Sequence, residues 1–280
     1  MKYSHSSLAT YRRCRYRYWL QYVQNYISPA GRGQVRGTAG HAALAAWYKD
    51  SQRDNDAAMK AASDIFTNTE LETGWDLAKD WEEMQLVLMR YFAWARVHDQ
   101  FEALEIELKY DIPIGAYTLT GYIDGIVSKG GYNYVLEHKF VKQASLAHIP
   151  LDMQVSIYML AAHRLGYNPI GTFYNIIRMG ERGISVTEPV LRTIAYRNSE
   201  GLAVIEYELE NNMKEVDEFL AKGGLVYRNP TKDCTWDCSF YDACLSLNDS
   251  GEADSVMKKF DKRESDNIIP IEGVIDGTQE

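Results

Sequence analysis

The chain has 280 residues, is 46% hydrophobic and 25% charged, and carries a net charge of −9. That balance is ordinary for a globular protein. No apolar run reaches the ~18 residues of a membrane span, and the N-terminus lacks a signal peptide's apolar core. No membrane partner and a cytoplasmic location are therefore expected.

Residues 6–26 read as a helix that Ser6 or Ser7 can cap, because Leu8, Tyr11, Cys14, Tyr18 and Tyr22 recur at spacings of three and four. The acidic net charge argues mildly against a nucleic-acid partner, but its distribution argues otherwise. Residues 1–49 hold eight basic side chains, seven tyrosines, two tryptophans and no acid. Such a stretch suits a nucleic-acid backbone with stackable bases. It equally suits tyrosines in a core and arginines paired with the acidic remainder.

A loop over 28–33 is followed by a second helix from about Gly37, a weaker one over 54–68 and a long amphipathic one over 76–98. The period then changes to that of strands, over 103–112, 117–128 and 132–141. A helix over 150–166 stops at Gly166, a strand follows over 170–178 and a further one over 184–193, and the last long helix spans 198–221. From Asp249 the chain is polar, with nine acids against four bases, and is expected to be a mostly disordered tail. This order predicts a mixed α/β fold with a central mixed sheet flanked by helices. One domain over 1–248 is expected: a helical part (1–100), a sheet core (101–193), then the C-terminal helix and cysteine segment (198–248), with the tail over 249–280.

The strand "YVLEHKFV" sets Glu137, His138 and Lys139 into an otherwise apolar run. Burying an unpaired charge is costly, so a compensating group is expected there. The preceding "KGGY" suits a two-residue hairpin turn on Gly130 and Gly131, since the favoured turns need positive φ. That turn pairs residues whose numbers sum to 261, which sets Asp124 opposite Glu137 with Cβ atoms ~4.5–5.5 Å apart. Lys139 lies two residues from Glu137, on the same face. Two carboxylates so close need positive charge between them. A divalent cation with oxygen ligands would supply it, and so would Lys139 alone in a structural ion-pair network. Elsewhere, Gly37 and His41 share a helical face, with Gly37 positioned to let that helix approach a neighbour, and Gln154 and Tyr158 share another face.

Taken together, Gly37-x3-His41, Asp124 in "GYIDGI", Glu137-x-Lys139 in "LEHKF" and Gln154-x3-Tyr158 resemble the PD-(D/E)XK nuclease superfamily. Within it, the arrangement is similar to the RecB-type exonuclease branch, which includes CRISPR-adaptation and phage recombination nucleases. Ile123 stands where the superfamily's name has proline. The resemblance implies a restriction-endonuclease-like core and a divalent-metal-dependent deoxyribonuclease with exonuclease chemistry. It implies that Asp124, Glu137 and the backbone carbonyl of His138 hold Mn²⁺ or Mg²⁺, with His41 as an added ligand. Imidazole ligation favours Mn²⁺. Lys139 would orient the attacking water, and Gln154 and Tyr158 would position substrate or the lysine. DNA ends or single strands would be the substrate, in a bacterial or phage-infected cell, with a recombination protein as a candidate partner. The alternative is a non-catalytic DNA-binding recombination scaffold that keeps the fold.

Cys234, Cys238 and Cys244 fall within eleven residues, and Cys14 lies far upstream. Three cysteines so close suggest thiolate metal ligation, while spacing alone does not decide whether Cys14 joins them. The resemblance to AddB-type and CRISPR-adaptation nucleases implies a 4Fe-4S cluster held by all four, clamping the N- and C-terminal segments together. The spacing between Cys234 and Cys238 is x3 where that family commonly has x2, and zinc on four thiolates remains a rival. With such a clamp, Arg12, Arg13, Arg15 and Arg17 become candidate DNA contacts.

Overall fold

The computed structural model describes residues 1–27, 31–180, 188–221, 223, 226–247 and 256–263. In chain order the elements are β1 (Lys2–Ser4), α1 (His5–Arg13), α2 (Arg15–Tyr18) running into a π-turn (Trp19–Val23), α3 (Arg32–Lys49), α4 (Asn55–Thr73) and α5 (Ala78–His98). Then come β2 (Glu102–Ile114), β3 (Tyr117–Lys129), β4 (Tyr132–Val141), a 3₁₀ turn (Ile149–Leu151), α6 (Met153–Arg164), β5 (Gly171–Arg178) and β6 (Val190–Ala195). The chain continues with α7 (Ser199–Ala221), α8 (Cys234–Asp237) and α9 (Tyr241–Ser246). They form two units: Ala30–Ile112 with Thr120–Tyr207, and Met1–Pro29 with Pro113–Leu119 and Glu208–Glu280.

The larger unit is a mixed sheet with helices packed on it, as the order of elements predicts. β3 and β4 form an antiparallel hairpin whose register runs from Lys129↔Tyr132 to Gly125↔Leu136. Gly130 and Gly131 adopt φ of 61° and 83°, the left-handed values this turn needs. β4 pairs in parallel with β5, and β5 antiparallel with β6. β2 lies on the other side of β3. β4 is central, which is why Val135, Leu136, Glu137 and His138 are all buried. The observed β6 lies a few residues beyond the expected 184–193, and residues 181–187 fall outside those described.

α5 repeats apolar side chains at Met84, Val87, Leu88, Tyr91, Phe92 and Ala95, all buried. This stripe joins α3 and α4 in one core, where Trp47 stacks on Phe92 with ring centroids 5.2 Å apart. Burying each such large side chain contributes roughly 1.5–3 kcal/mol. α3 begins at Arg32, five residues before the expected Gly37, with Gly31 as its cap. The close approach expected at Gly37 falls instead at Gly40, where a Cβ would come within 2.4 Å of the Phe140 ring on β4.

In the smaller unit the helix expected over 6–26 is broken. Ser4 caps α1 in a reciprocal capping box, its Oγ accepting the Ser7 N–H at 3.1 Å and the Ser7 Oγ accepting the Ser4 N–H at 3.0 Å. Cys14 then leaves the helical conformation, with φ −159° and ψ 115°, before α2 resumes. β1 lies beside the start of β3, where the Thr118 N–H donates to the Met1 carbonyl. The acidic tail is partly described. The Ile27 N–H donates to the Asp261 carbonyl at 2.8 Å and the Arg263 N–H to that of Asn25 at 2.9 Å. Val256, Met257 and Phe260 pack on Leu20, Phe240 and Ala243, within the segment for which charge alone suggested disorder. Residues 248–255 and 264–280 lie outside those described.

Candidate metal centre

The hairpin ladder runs as far as Gly125↔Leu136. At the next position the Asp124 carboxylate takes the His138 backbone N–H, with Oδ2 at 2.8 Å. The same oxygen lies 3.4 Å from His41 Nδ1 on α3 and 3.5 Å from His138 Nδ1. One ligand atom each from His41, Asp124 and Glu107 lie within 4.8 Å of one another, which makes a nitrogen-and-oxygen set suited to a divalent cation. Glu107 was not among the residues singled out from the sequence. It sits in β2 with φ 55°, a left-handed residue inside a strand. The acids at Glu102, Glu105 and Glu107 were legible, but not which of them would turn inward.

Glu137 is 1% exposed. Lys139 Nζ lies 2.5 Å from its Oε1, yet neither Glu137 oxygen has an aligned hydrogen bond among the described residues. The ammonium donates instead to Gln154 Oε1 at 2.7 Å, and the Gln154 amide donates to the Tyr158 hydroxyl at 2.6 Å. Asp152 caps α6 by accepting the N–H groups of Gln154 and Val155, and so holds that helix with Gln154 toward the lysine. Thus His41, Asp124, Glu137, His138, Lys139, Gln154 and Tyr158 all fall in one neighbourhood of the larger unit.

The electrostatics separate the two carboxylates. Burial alone would raise Asp124, but His41 and His138 hold it well below the usual carboxylate range. Burial, with Asp124 next, pushes Glu137 up to about 8 against the pull of Lys139. Burial also raises Glu107, aided by Asp124. His41 is raised, since Asp124 outweighs its burial, whereas burial prevails at His138 and lowers it. Lys139 is raised because Glu137 outweighs the effect of its burial. Three carboxyl groups therefore crowd together here, and both Glu137 oxygens are buried without an aligned hydrogen bond among the described residues. These residues fit a divalent cation.

In the smaller unit Cys14, Cys234, Cys238 and Cys244 line one pocket together with Arg13 and Arg17. The break in the first helix at Cys14 is what brings that residue into it. Arg13 pairs with Asp237, and Arg17 donates to the Asp237 carbonyl at 3.3 Å. Arg15 donates to the Tyr227 hydroxyl at 2.6 Å and lies over the Tyr11 ring. Arg12 is exposed.

A parallel strand pair and an antiparallel hairpin thus carry Asp124, Glu137 and Lys139 into one neighbourhood of a mixed sheet flanked by helices. The sequence profile of the PD-(D/E)XK nuclease superfamily matches residues 2–245, and the chain belongs to that superfamily. A search of curated proteins gave no match. The chain is similar to the crystal structure of SSO0001, at 15% identity over 74% of this chain and 84% of that one, with a TM-score of 0.34. It is also similar to a candidate exonuclease from Eubacterium rectale, at 9% identity over 84% and 92% of the two chains, with a TM-score of 0.48. At these scores neither similarity adds to the family match.

Proposed function

We propose that this chain is a divalent-metal-dependent deoxyribonuclease of the RecB type, acting as an exonuclease on DNA ends or single strands in recombination, repair or phage DNA processing. The observation that carries the reading is the convergence of His41, Glu107 and Asp124, beside a buried Glu137 whose oxygens lack an aligned hydrogen bond among the described residues. His41, Glu107, Asp124 and Glu137, with the His138 carbonyl, would hold Mn²⁺ or Mg²⁺. A cation held there would lower the pKa of a bound water and offset charge on the scissile phosphate. Lys139 donates to the attacking water or to a phosphate oxygen, and Gln154 with Tyr158 fixes where its ammonium points.

The four cysteines lining one pocket support a 4Fe-4S cluster, with zinc as the lesser candidate. Among the described residues Arg12 has none of the pairings that engage Arg13, Arg15 and Arg17, and it is the first candidate for a phosphate contact. The test is cleavage of labelled DNA with Mn²⁺ or Mg²⁺ by wild type, Glu137→Ala and Lys139→Ala. Loss of cleavage in both variants supports the assignment, and equal cleavage by all three rejects it.

A further inference from the structure

We infer that His138 is a positioning residue for Asp124, its ring locked with a proton on Nε2 by a buried chain of hydrogen bonds anchored on Arg192. The inference rests on the metal centre proposed above and deepens it.

The chain of contacts is continuous. His138 Nε2 lies 2.9 Å from the Tyr91 hydroxyl, and that hydroxyl lies 2.5 Å from the Tyr48 hydroxyl. Tyr48 donates to Asp99 Oδ2. Asp99 Oδ1 accepts from Arg192 Nη2 at 2.5 Å, and Arg192 Nε donates to Asn175 Oδ1 at 2.6 Å. Tyr91 is 0% exposed, His138 2%, Asp99 3% and Tyr48 6%, so water cannot take the place of any partner.

Counting protons fixes the direction of every bond. Asp99 accepts at both carboxylate oxygens, from Tyr48 at Oδ2 and from the Arg192 guanidinium at Oδ1. The one Tyr48 proton goes to Asp99, so the Tyr48 oxygen must accept from Tyr91. The one Tyr91 proton is then used, and the Tyr91 oxygen must accept from His138. Nε2 therefore carries a proton, whether the ring is neutral or charged. At the other end of the ring Nδ1 lies 3.5 Å from Asp124 Oδ2, and the backbone N–H of the same residue holds that oxygen at 2.8 Å. A ring fixed in tautomer and orientation from behind thus fixes the residue that holds the cation's carboxylate. Partners of this kind orient metal ligands, and their loss commonly weakens metal binding.

The test uses the full chain with ¹⁵N-labelled histidine, His138 being assigned by comparison with His138→Gln. NMR is expected to show a protonated Nε2 on His138; a bare Nε2 overturns the inference without recourse to any other variant. Isothermal titration with Mn²⁺ is expected to give an affinity lowered roughly 10–100-fold in Tyr91→Phe. Its kcat on DNA falls while KM stays unchanged. His138→Gln, which keeps an N–H donor for Tyr91, should retain more Mn²⁺ affinity than His138→Leu. Wild-type affinity in a folded Tyr91→Phe also overturns the inference. A wild-type protein that neither binds Mn²⁺ nor cleaves DNA would instead defeat the proposed function, and the tautomer measurement would still decide the hydrogen-bond chain.

Discussion

The Lys139 ammonium donates to the Gln154 amide oxygen at 2.7 Å, and this bond ties the central strand β4 to the helix α6 that follows it. Lys139 is the one cationic side chain lying against Glu137 among the described residues, so its aim matters as much as its charge. In the proposed mechanism Lys139→Ala removes a charged donor to the reacting phosphate, and it should lower kcat roughly 100–1,000-fold. Gln154→Ala leaves the ammonium in place but loosely aimed, and a smaller loss is expected. Rates on end-labelled DNA at saturating metal check both, and a Gln154→Ala loss as large as that of Lys139→Ala would show that the amide does more than aim the lysine.

Metal binding should strengthen as pH rises toward about 8. Glu137 is raised from its ordinary 4.5 to about 8 by burial and Asp124, so below that pH it holds a proton that a cation must displace. His41 is raised too, which acts in the same direction. Displacement of one proton gives about a tenfold gain in apparent affinity per pH unit, levelling above the folded pKa. The same shift means that the metal-free fold binds more protons than the unfolded chain between 4.5 and about 8, and loses stability as pH rises through that window. The Mn²⁺-induced rise in Tm should therefore be larger at high pH than at low pH, and a flat profile would contradict the assignment of Glu137.

Gly40 and Gly37 offer a contrast within one helix. A Cβ at Gly40 meets the Phe140 ring at 2.4 Å, while one at Gly37 meets nothing within 4 Å. Gly40→Ala should cost roughly 1–3 kcal/mol through overpacking. Gly37→Ala should stabilise by roughly 0.5–1 kcal/mol through helix propensity. Thermal melts of the two variants read the difference directly.

Tyr48→Phe removes the hydroxyl that donates to the buried Asp99. An unsatisfied buried carboxylate oxygen costs about 1–3 kcal/mol. Denaturant unfolding measures this loss, and an unchanged midpoint would show that Arg192 alone satisfies Asp99.

The protein purified without air should be brown, with a broad absorbance in the blue, and Cys238→Ala should lose that colour and melt earlier. Colourless protein containing one zinc per chain would assign the four-cysteine pocket to zinc.

Much of the site was legible because it is built on local rules. Gly130 and Gly131 fix the turn, the turn fixes the register, and the register brings Asp124 to the strand that carries Glu137 and Lys139. The four-residue spacing of Gln154 and Tyr158 likewise survives as a direct hydrogen bond. What escaped depends on single backbone departures or distant partners. Glu107 enters the site through one left-handed residue in β2, and Cys14 through one extended residue between two helices. Neither residue type announces such a conformation. Asp99 and Arg192 are 93 positions apart and meet only once α5 and β6 are packed. The packing of the tail's Val256, Met257 and Phe260 was masked by the surrounding charge.

The central claim is that one divalent cation is held where His41, Glu107 and Asp124 converge. Isothermal titration of the metal-free centre with Mn²⁺ tests it most directly. Wild type should bind one ion per chain there, Glu107→Gln should bind it more weakly, and Asp124→Asn should not bind it. No binding by wild type, or undiminished binding by Asp124→Asn, would contradict the account.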